Sequence, residues 1–161
     1  MTPGIDAATL SLLQHKRIYF GHQSVGANMI EGMRDLCRAD TALRLDIVES
    51  SHPDAFAAPV FGHSQIGRNH EPRTKIDAFA GILGAGLGNK VDIAFFKFCY
   101  VDVTEGSDIA GLFDYYHSVM AQLAAAYPRT RLAHVSVPVT VMPGLLRRVI
   151  GEHTALMVTL A

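Results

Sequence analysis

Short apolar runs alternate with helical stretches along this 161-residue chain, and this alternation limits its fold more than any other feature. The clearest run covers residues 91–98, which read Val-Asp-Ile-Ala-Phe-Phe-Lys-Phe. Similar runs lie at residues 17–21, 43–49 and 131–137. Strands that alternate with helices form a parallel sheet with helices on both faces. The sequence therefore predicts one three-layer α/β/α domain over residues 1–161, built on a parallel sheet of about four strands.

Apolar residues at helical spacing predict the segments between these strands. We expect helices over residues 6–15, 24–38, 74–83 and 108–127, the last ending before Pro128. Residues 50–74 are rich in His, Pro, Gly and Ser, which predicts a long loop of the kind that often carries function. The glycines at 84, 86 and 88 precede a predicted strand, so they indicate a helix stop and not a phosphate loop.

Composition and charge exclude several classes of protein. A net charge of -1 gives no general attraction to nucleic acid or to an anionic membrane. No apolar run has the length of a membrane span, and the N-terminus shows no secretory signal. We therefore expect a cytoplasmic protein, with export after removal of a signal as the alternative.

Few residues suggest a metal or a disulfide. Cys37 and Cys99 are too few and too far apart for a disulfide scaffold or a zinc knuckle. His63, His70 and Glu71 lack the spacing of metal ligands. The sequence predicts neither a metal nor another cofactor.

Ser24 stands at the junction between the first predicted strand and the helix that follows. A hydroxyl there lies beside the free N–H groups and the positive dipole end of the helix. Such a place can hold an anion, or the oxyanion of an acyl-transfer intermediate. The alternative is an ordinary serine N-cap with no catalytic role.

Two further groups of polar residues are expected near Ser24. Ligands of open α/β sheets bind outside the carboxyl ends of the strands, where the strand order reverses. In a flavodoxin-like order the first and third predicted strands are neighbours, which brings together His22, Gln23, Ser24, Lys97, Cys99, Tyr100 and Asp102. The polar loop after the second predicted strand can fold over the same edge with His63, Ser64, Gly67, Arg68 and Asn69.

The turn at Ser24 resembles the first block of the SGNH/GDSL hydrolases, in which a strand enters a Gly-Asp-Ser turn and a helix. This chain has two residues, not one, between Gly21 and Ser24. The segments Phe-Gly-His-Gln-Ser-Val-Gly and Phe-Phe-Lys-Phe-Cys-Tyr-Val-Asp also resemble a bacterial branch of that superfamily. The resemblance covers about residues 16–140 and implies an SGNH-like fold and ester hydrolysis.

The chain departs from the family at two of its blocks. The third block, Gly-x-Asn-Asp, corresponds to Cys99, Val101 and Asp102, so the Asn that serves the family's oxyanion hole is absent. The family's catalytic Asp-x-x-His is also missing, since no Asp follows residue 138. Asp114 and His117 have that spacing, but they fall within a predicted helix and indicate a solvated face. We expect a domain truncated or diverged after about residue 140, without the last strand and helix of the usual fold.

A catalytic base must then come from elsewhere in the chain. Ser24 needs an imidazole within hydrogen-bond reach, and His63 and His22 are the first candidates. His134 is expected to be buried and satisfied in its strand, and His153 lies in the tail. Gly67, Asn69 and the amide of Ser24 are the natural oxyanion donors.

Lys97 and Cys99 each leave two interpretations open. Lys97 must either reach the sheet edge or pair with a carboxylate such as Asp102, so it is a structural ion pair or an anion-binding group. Cys99 is either a second nucleophile or an inert buried side chain.

Two functions from different classes are therefore expected. The first is an SGNH-type serine hydrolase acting on esters, with acyl or acetyl groups on carbohydrate as candidate substrates. The second is an inactive SGNH-like domain that binds a small molecule or an anion. The predicted sheet also has an open edge beyond the last strand, through which two chains could form a homodimer.

Overall fold

A sheet of six strands organises the part of the chain that the computed structural model describes, namely residues 7–40, 43–137 and 158–160. The strands are β1 (Arg17–His22), β2 (Ile47–Glu49), β3 (Val60–Gln65), β4 (Ile93–Phe96), β5 (Arg131–Val135) and β6 (Val158–Leu160). Their order across the sheet is β2-β3-β1-β4-β5-β6. Strands β1 to β5 are parallel, and β6 runs antiparallel to β5.

Helices pack on both faces of this sheet, as the alternating sequence predicts. They are α1 (Ala7–Leu13), α2 (Val25–Ala39), α3 (Pro72–Gly84) and α4 (Ile109–Ala126). Leu13 of α1 and Ile30 of α2 belong to the apolar cluster on one face. Phe79 of α3 and Met120 of α4 belong to the cluster on the other face. The predicted flavodoxin-like α/β class is thus confirmed.

Strand β1 lies between β3 and β4 at the centre of the sheet, and its sequence explains this position. Successive side chains of a strand point to opposite faces. Ile18 and Phe20 pack toward α2, whereas Tyr19 packs among the side chains beneath α3 and α4. A strand that is buried on both faces needs a continuous apolar run, which β1 has. The predicted adjacency of the first strand and the 91–98 strand is confirmed by the β1–β4 pairing.

The prediction of one long loop over residues 50–74 is wrong for the middle part of this segment. It contains a short 3-10 turn at Pro53–Phe56 and the whole of β3. His63 and Ser64 therefore lie within a sheet strand, and His63 is buried instead of covering the site from a loop. Their polar side chains are tolerated there because each has a polar partner: His22 contacts His63, and Tyr19 contacts Ser64.

The far edge of the sheet also differs from expectation, because the sheet has six strands and not about four. Strand β6 pairs with β5 along Ala133–Val135, so this edge is covered where we expect it to be open. The homodimer stays a prediction. Residues 138–157, including His153, lie outside the described residues.

Two other expectations concern α4 and the membrane. Asp114 and His117 are exposed on α4, as predicted for a solvated helix face. Among the described residues, no helix combines the length and the apolar character that crossing a membrane requires.

Candidate functional site

The carboxyl ends of β1, β3 and β4 meet at one edge of the sheet, which we call the rim. The amide of Ile66 donates to the carbonyl of His22 at 2.9 Å, and the amide of Lys97 donates to the carbonyl of Gly21 at 3.2 Å. These bonds hold three segments side by side: the turn after β1, the rim loop (residues 66–71) after β3, and the turn after β4. The predicted convergence of polar groups thus occurs at the rim.

Ser24 is the residue before α2, and its backbone is strained. Its φ and ψ angles are 45° and -109°, a backbone conformation that residues other than glycine seldom adopt. A conformation of this kind costs on the order of 1–3 kcal/mol and is found most often at functional sites. The hydroxyl makes no capping hydrogen bond to the helix, and the residue is exposed. The alternative interpretation of the sequence, in which the side chain of Ser24 caps α2, is therefore wrong.

His22 lies directly beneath the first turn of α2. Its side chain is only 2% exposed, and its ring packs against Gly26, where any Cβ would collide with the ring. Its Nε2 atom is 3.1 Å from Nδ1 of His63, which is 5% exposed. The two rings form a buried imidazole pair on the α2 side of the rim.

Burial sets the electrostatics of this imidazole pair. It lowers the pKa of His22 from 6.5 to about 4, with the neighbouring His63 as the second cause. Burial also lowers the pKa of His63, while the charge of Glu49 raises both values. Both rings therefore favour the neutral form near pH 7.

Each ring of the pair has one nitrogen without a partner. Within the described residues, Nδ1 of His22 and Nε2 of His63 are buried and make no hydrogen bond. Leaving a buried polar atom unpaired is costly, so such atoms are rare in folded proteins. If Nε2 of His22 donates to His63, then Nδ1 of His22 carries a free lone pair. In that tautomer this nitrogen, which lies against Gly26 two residues after Ser24, is the proton acceptor of the pair.

Gly67 connects the rim loop to the Ser24 turn. The side chain of Gln23 donates from Nε2 to the carbonyl of Gly67 at 3.0 Å. Gly67 has a φ of 56°, and a Cβ at this position would meet the backbone nitrogen of Lys75 at 2.5 Å. Only glycine fits both constraints. The amides of Ser24 and Gly67 have no acceptor in the described part of the chain, so both can donate to a bound oxyanion.

A buried ion pair lies on the α3 side of the rim. The Lys75 ammonium contacts the Asp102 carboxylate, and both side chains are fully buried. Lys75 also donates to Oδ1 of Asn69 at 2.9 Å. Asp102 accepts from the amides of Cys99 at 2.6 Å and His70 at 3.0 Å. We call Lys75, Asp102 and Asn69, with these two amides, the lysine cluster.

Lys75 is the buried polar residue of the rim that the sequence did not predict. A lysine inside a predicted helix is usually solvated, so its presence there does not by itself indicate a buried contact. The signal was its spacing, because Lys75, Phe79 and Leu83 recur every four residues along one stripe of α3. All three are buried.

Lys97 and Cys99 are both enclosed at the end of β4. Lys97 is 1% exposed, and its Nζ donates to the carbonyl of Phe98 at 3.1 Å. Burial lowers the pKa of this ammonium. The carboxylate of Asp102, considered as its partner from the sequence, pairs with Lys75 instead. Cys99 is buried at the start of the 3-10 turn Tyr100–Asp102, whereas Tyr100 is 45% exposed at the rim.

The remaining candidates lie away from Ser24 or are already paired. Nδ1 of His134 is 2.6 Å from the hydroxyl of Tyr116, so this histidine has the expected polar partner, but it is half-buried and not buried. Arg68 is exposed and pairs with Glu71. In the described ranges, no three His, Cys, Asp or Glu side chains are grouped so as to hold a metal ion.

Comparison with known proteins identifies no relative of this chain that would explain the rim. No protein-family model, no curated protein and no solved structure matches the chain. The function proposed for the rim therefore rests on Ser24, the imidazole pair and the free N–H donors of this edge.

Proposed function

We propose that this chain is an SGNH-type serine hydrolase that cleaves esters, with Ser24 as its nucleophile. One observation carries the proposal: Ser24 is held in a strained conformation, with its hydroxyl exposed and released from capping, two residues after a buried imidazole that has a free nitrogen. Strain of this kind persists only where the surrounding structure enforces it. A sharp strand-to-helix turn that exposes a serine hydroxyl is also how other hydrolases present their nucleophile.

The imidazole pair supplies the base. Ser24 Oγ attacks the ester carbonyl, and its proton passes to Nδ1 of His22. In this proposal, Nε2–H of His22 donates a hydrogen bond to Nδ1 of His63. That bond fixes the tautomer of His22, which is the part that a carboxylate plays in a catalytic triad. His22 then returns the proton to the leaving alkoxide as the C–O bond breaks. In the second half-reaction, water loses a proton to His22 and attacks the acyl carbon, and His22 then returns that proton to Oγ of Ser24 as the acyl–oxygen bond breaks and the acid leaves.

We assign three N–H donors to the oxyanion that develops on the substrate. They are the amides of Ser24 and Gly67 and the side-chain amide of Asn69, all outside the buried core. Removing one such donor from a hydrolase costs about 10²–10³-fold in kcat. Tyr100, exposed at the rim, offers a ring face to the alcohol part of the substrate, for which acylated or acetylated carbohydrate is our candidate class.

The test is hydrolysis of p-nitrophenyl acetate by the wild-type protein and by Ser24→Ala. We expect kcat/KM to fall at least about 10³-fold, because the nucleophile is lost. Ser118→Ala is the matched control, since Ser118 is an exposed serine on α4. A fluorophosphonate probe should label the wild type and the control but not Ser24→Ala. Hydrolysis that is unchanged in Ser24→Ala contradicts the proposal.

A second candidate is a binding domain without catalysis. It is favoured by the absence, among the described contacts, of a carboxylate bonded to either imidazole, and by the buried ammonium of Lys97 near the rim. A protein of this kind would leave the fluorophosphonate unreacted at high protein concentration and would bind a small anion in calorimetry.

A further inference from the structure

The lysine cluster joins three segments that come from distant parts of the chain. Lys75 lies in the first turns of α3, Asn69 lies in the rim loop, and Asp102 ends the turn after β4. The ammonium contacts both of the other side chains. It is completely buried, so it has no water to replace either partner.

The chemistry of lysine fixes the orientation of the Asn69 amide. An ammonium group has three donors and no acceptor, so an amide that contacts it must present its oxygen. The contact at 2.9 Å is accordingly to Oδ1. The Nδ2 group then faces away from Lys75, and it has no acceptor among the described residues.

Asp102 fixes the backbone on either side of this amide. One carboxylate oxygen accepts from the amide of His70, the residue after Asn69, at 3.0 Å. The other accepts from the amide of Cys99 at 2.6 Å and contacts Lys75. Charge-assisted bonds of this kind are short and directional. Asn69 is therefore held both through its side chain and through its neighbour's backbone.

We propose that Lys75 is a positioning residue for ester hydrolysis: it holds the Asn69 amide with Nδ2 directed to the rim as an oxyanion donor. This inference rests on the proposed function and adds a residue to it. Lys75 is too deeply buried to touch a substrate, so it acts only through Asn69. It supplies the preorganisation that makes an oxyanion donor effective, since a free amide would rotate.

The test is a double-mutant cycle on p-nitrophenyl acetate hydrolysis with Lys75→Met, Asn69→Ala and the double variant. We expect Asn69→Ala to lower kcat about 100-fold. Lys75→Met should lower kcat about tenfold with little change in KM, because the amide is still present but no longer held. The double variant should be no slower than Asn69→Ala, since Lys75 then has nothing left to position. Lys90→Met, at an exposed lysine, is the control and should match the wild type.

Two variants keep the test decisive if Lys75→Met does not fold. Asn69→Asp keeps an oxygen for Lys75 but removes the N–H donors, so it should fold and lose as much kcat as Asn69→Ala. Lys75→Arg keeps cationic donors and should retain more activity than any variant that removes the charge. Full activity in Asn69→Asp overturns the inference, as does a double variant whose losses simply add.

The activities of these variants also distinguish a failure of the positioning role from a failure of the proposed function. Hydrolysis that requires Ser24 but is indifferent to Lys75 and Asn69 overturns only the positioning role. Hydrolysis that persists in Ser24→Ala overturns the proposed function and the positioning role together.

Discussion

Two buried polar clusters lie at the same rim and handle charge in opposite ways. The imidazole pair on the α2 side is held neutral by burial, and each ring keeps an unpaired nitrogen. The lysine cluster on the α3 side holds an ion pair, and both the lysine and the carboxylate have several partners. A buried group that is fully paired is fixed in place, whereas a buried group with a free lone pair is reactive. In the proposed function, the lysine cluster holds the Asn69 amide in place and the imidazole pair takes up the proton.

The largest effect should come from breaking the paired cluster. Asp102→Ala leaves the Lys75 ammonium buried without its carboxylate, and we expect a loss of about 3–5 kcal/mol in the free energy of unfolding. Urea denaturation measures this. Asp35→Ala removes a carboxylate of the exposed Arg38–Asp35 ion pair, and should cost less than about 1 kcal/mol. Equal losses in the two variants would show that the lysine cluster does not hold the rim.

Acidification should act on the imidazole pair. Above pH 6.5 His22 is neutral in both the folded and the unfolded chain, so its stability contribution is complete there. Between pH 6.5 and about 4 only the unfolded chain takes up the proton, so stability falls as the pH falls. A shift of this size is worth about 3 kcal/mol. The measurement is urea denaturation of the wild type and His22→Gln from pH 7.5 to 4.5, where the variant should show the shallower loss.

Substituting each histidine of the imidazole pair in turn tests the roles proposed for the two rings. His22→Gln should lower kcat for p-nitrophenyl acetate about 100-fold, because the base is lost. His63→Gln should cost about tenfold, because it only orients His22. The acid limb of kcat/KM in the wild type should lie near the low pKa of His22, about 4, and not near 6.5. A larger loss in His63→Gln than in His22→Gln would reverse the two roles.

The smallest effect concerns the strain at Ser24. Glycine adopts a φ of 45° without cost, so Ser24→Gly should be about 1 kcal/mol more stable than Ser24→Ala. Thermal unfolding of the two variants measures the difference, and both should be inactive in hydrolysis. If Ser24→Ala is as stable as Ser24→Gly, the turn relaxes at no cost and the strain does not help to present the nucleophile.

Most of the fold could be predicted because β1 and β4 are apolar runs that no helix pattern matches. Strand β3 could not, since its sequence Val-Phe-Gly-His-Ser-Gln looks like part of a polar loop. Its His63 is buried and its Ser64 is half-buried because partners meet them across the sheet: His22 for His63 and Tyr19 for Ser64. Such pairing depends on residues more than 40 positions apart in the chain, as the separations of 41 and 45 show. Local patterns carry no information about it.

The candidate site divides in the same way. Ser24, His22 and Gln23 were predicted from their position at a strand-to-helix junction, which is a local feature. The partnership of Lys75 and Asp102 spans 27 residues, and the sequence offered Lys97 as a nearer partner for that carboxylate. Which lysine reaches Asp102 is decided by how α3 packs on the sheet, so only the tertiary structure could settle it.

The central position of β1 has a consequence for how the chain is made. β1 is the first of the described strands, yet its neighbours β3 and β4 begin at Val60 and Ile93. During synthesis both edges of β1 therefore stay unpaired until the segments of β3 and β4 have been made. Non-local pairing of this kind is slow to form, and it exposes the early strand to aggregation or to chaperones. Burial can lower the pKa of His22 only after β3 brings His63 against its ring, so this histidine keeps a solvated environment until the sheet closes.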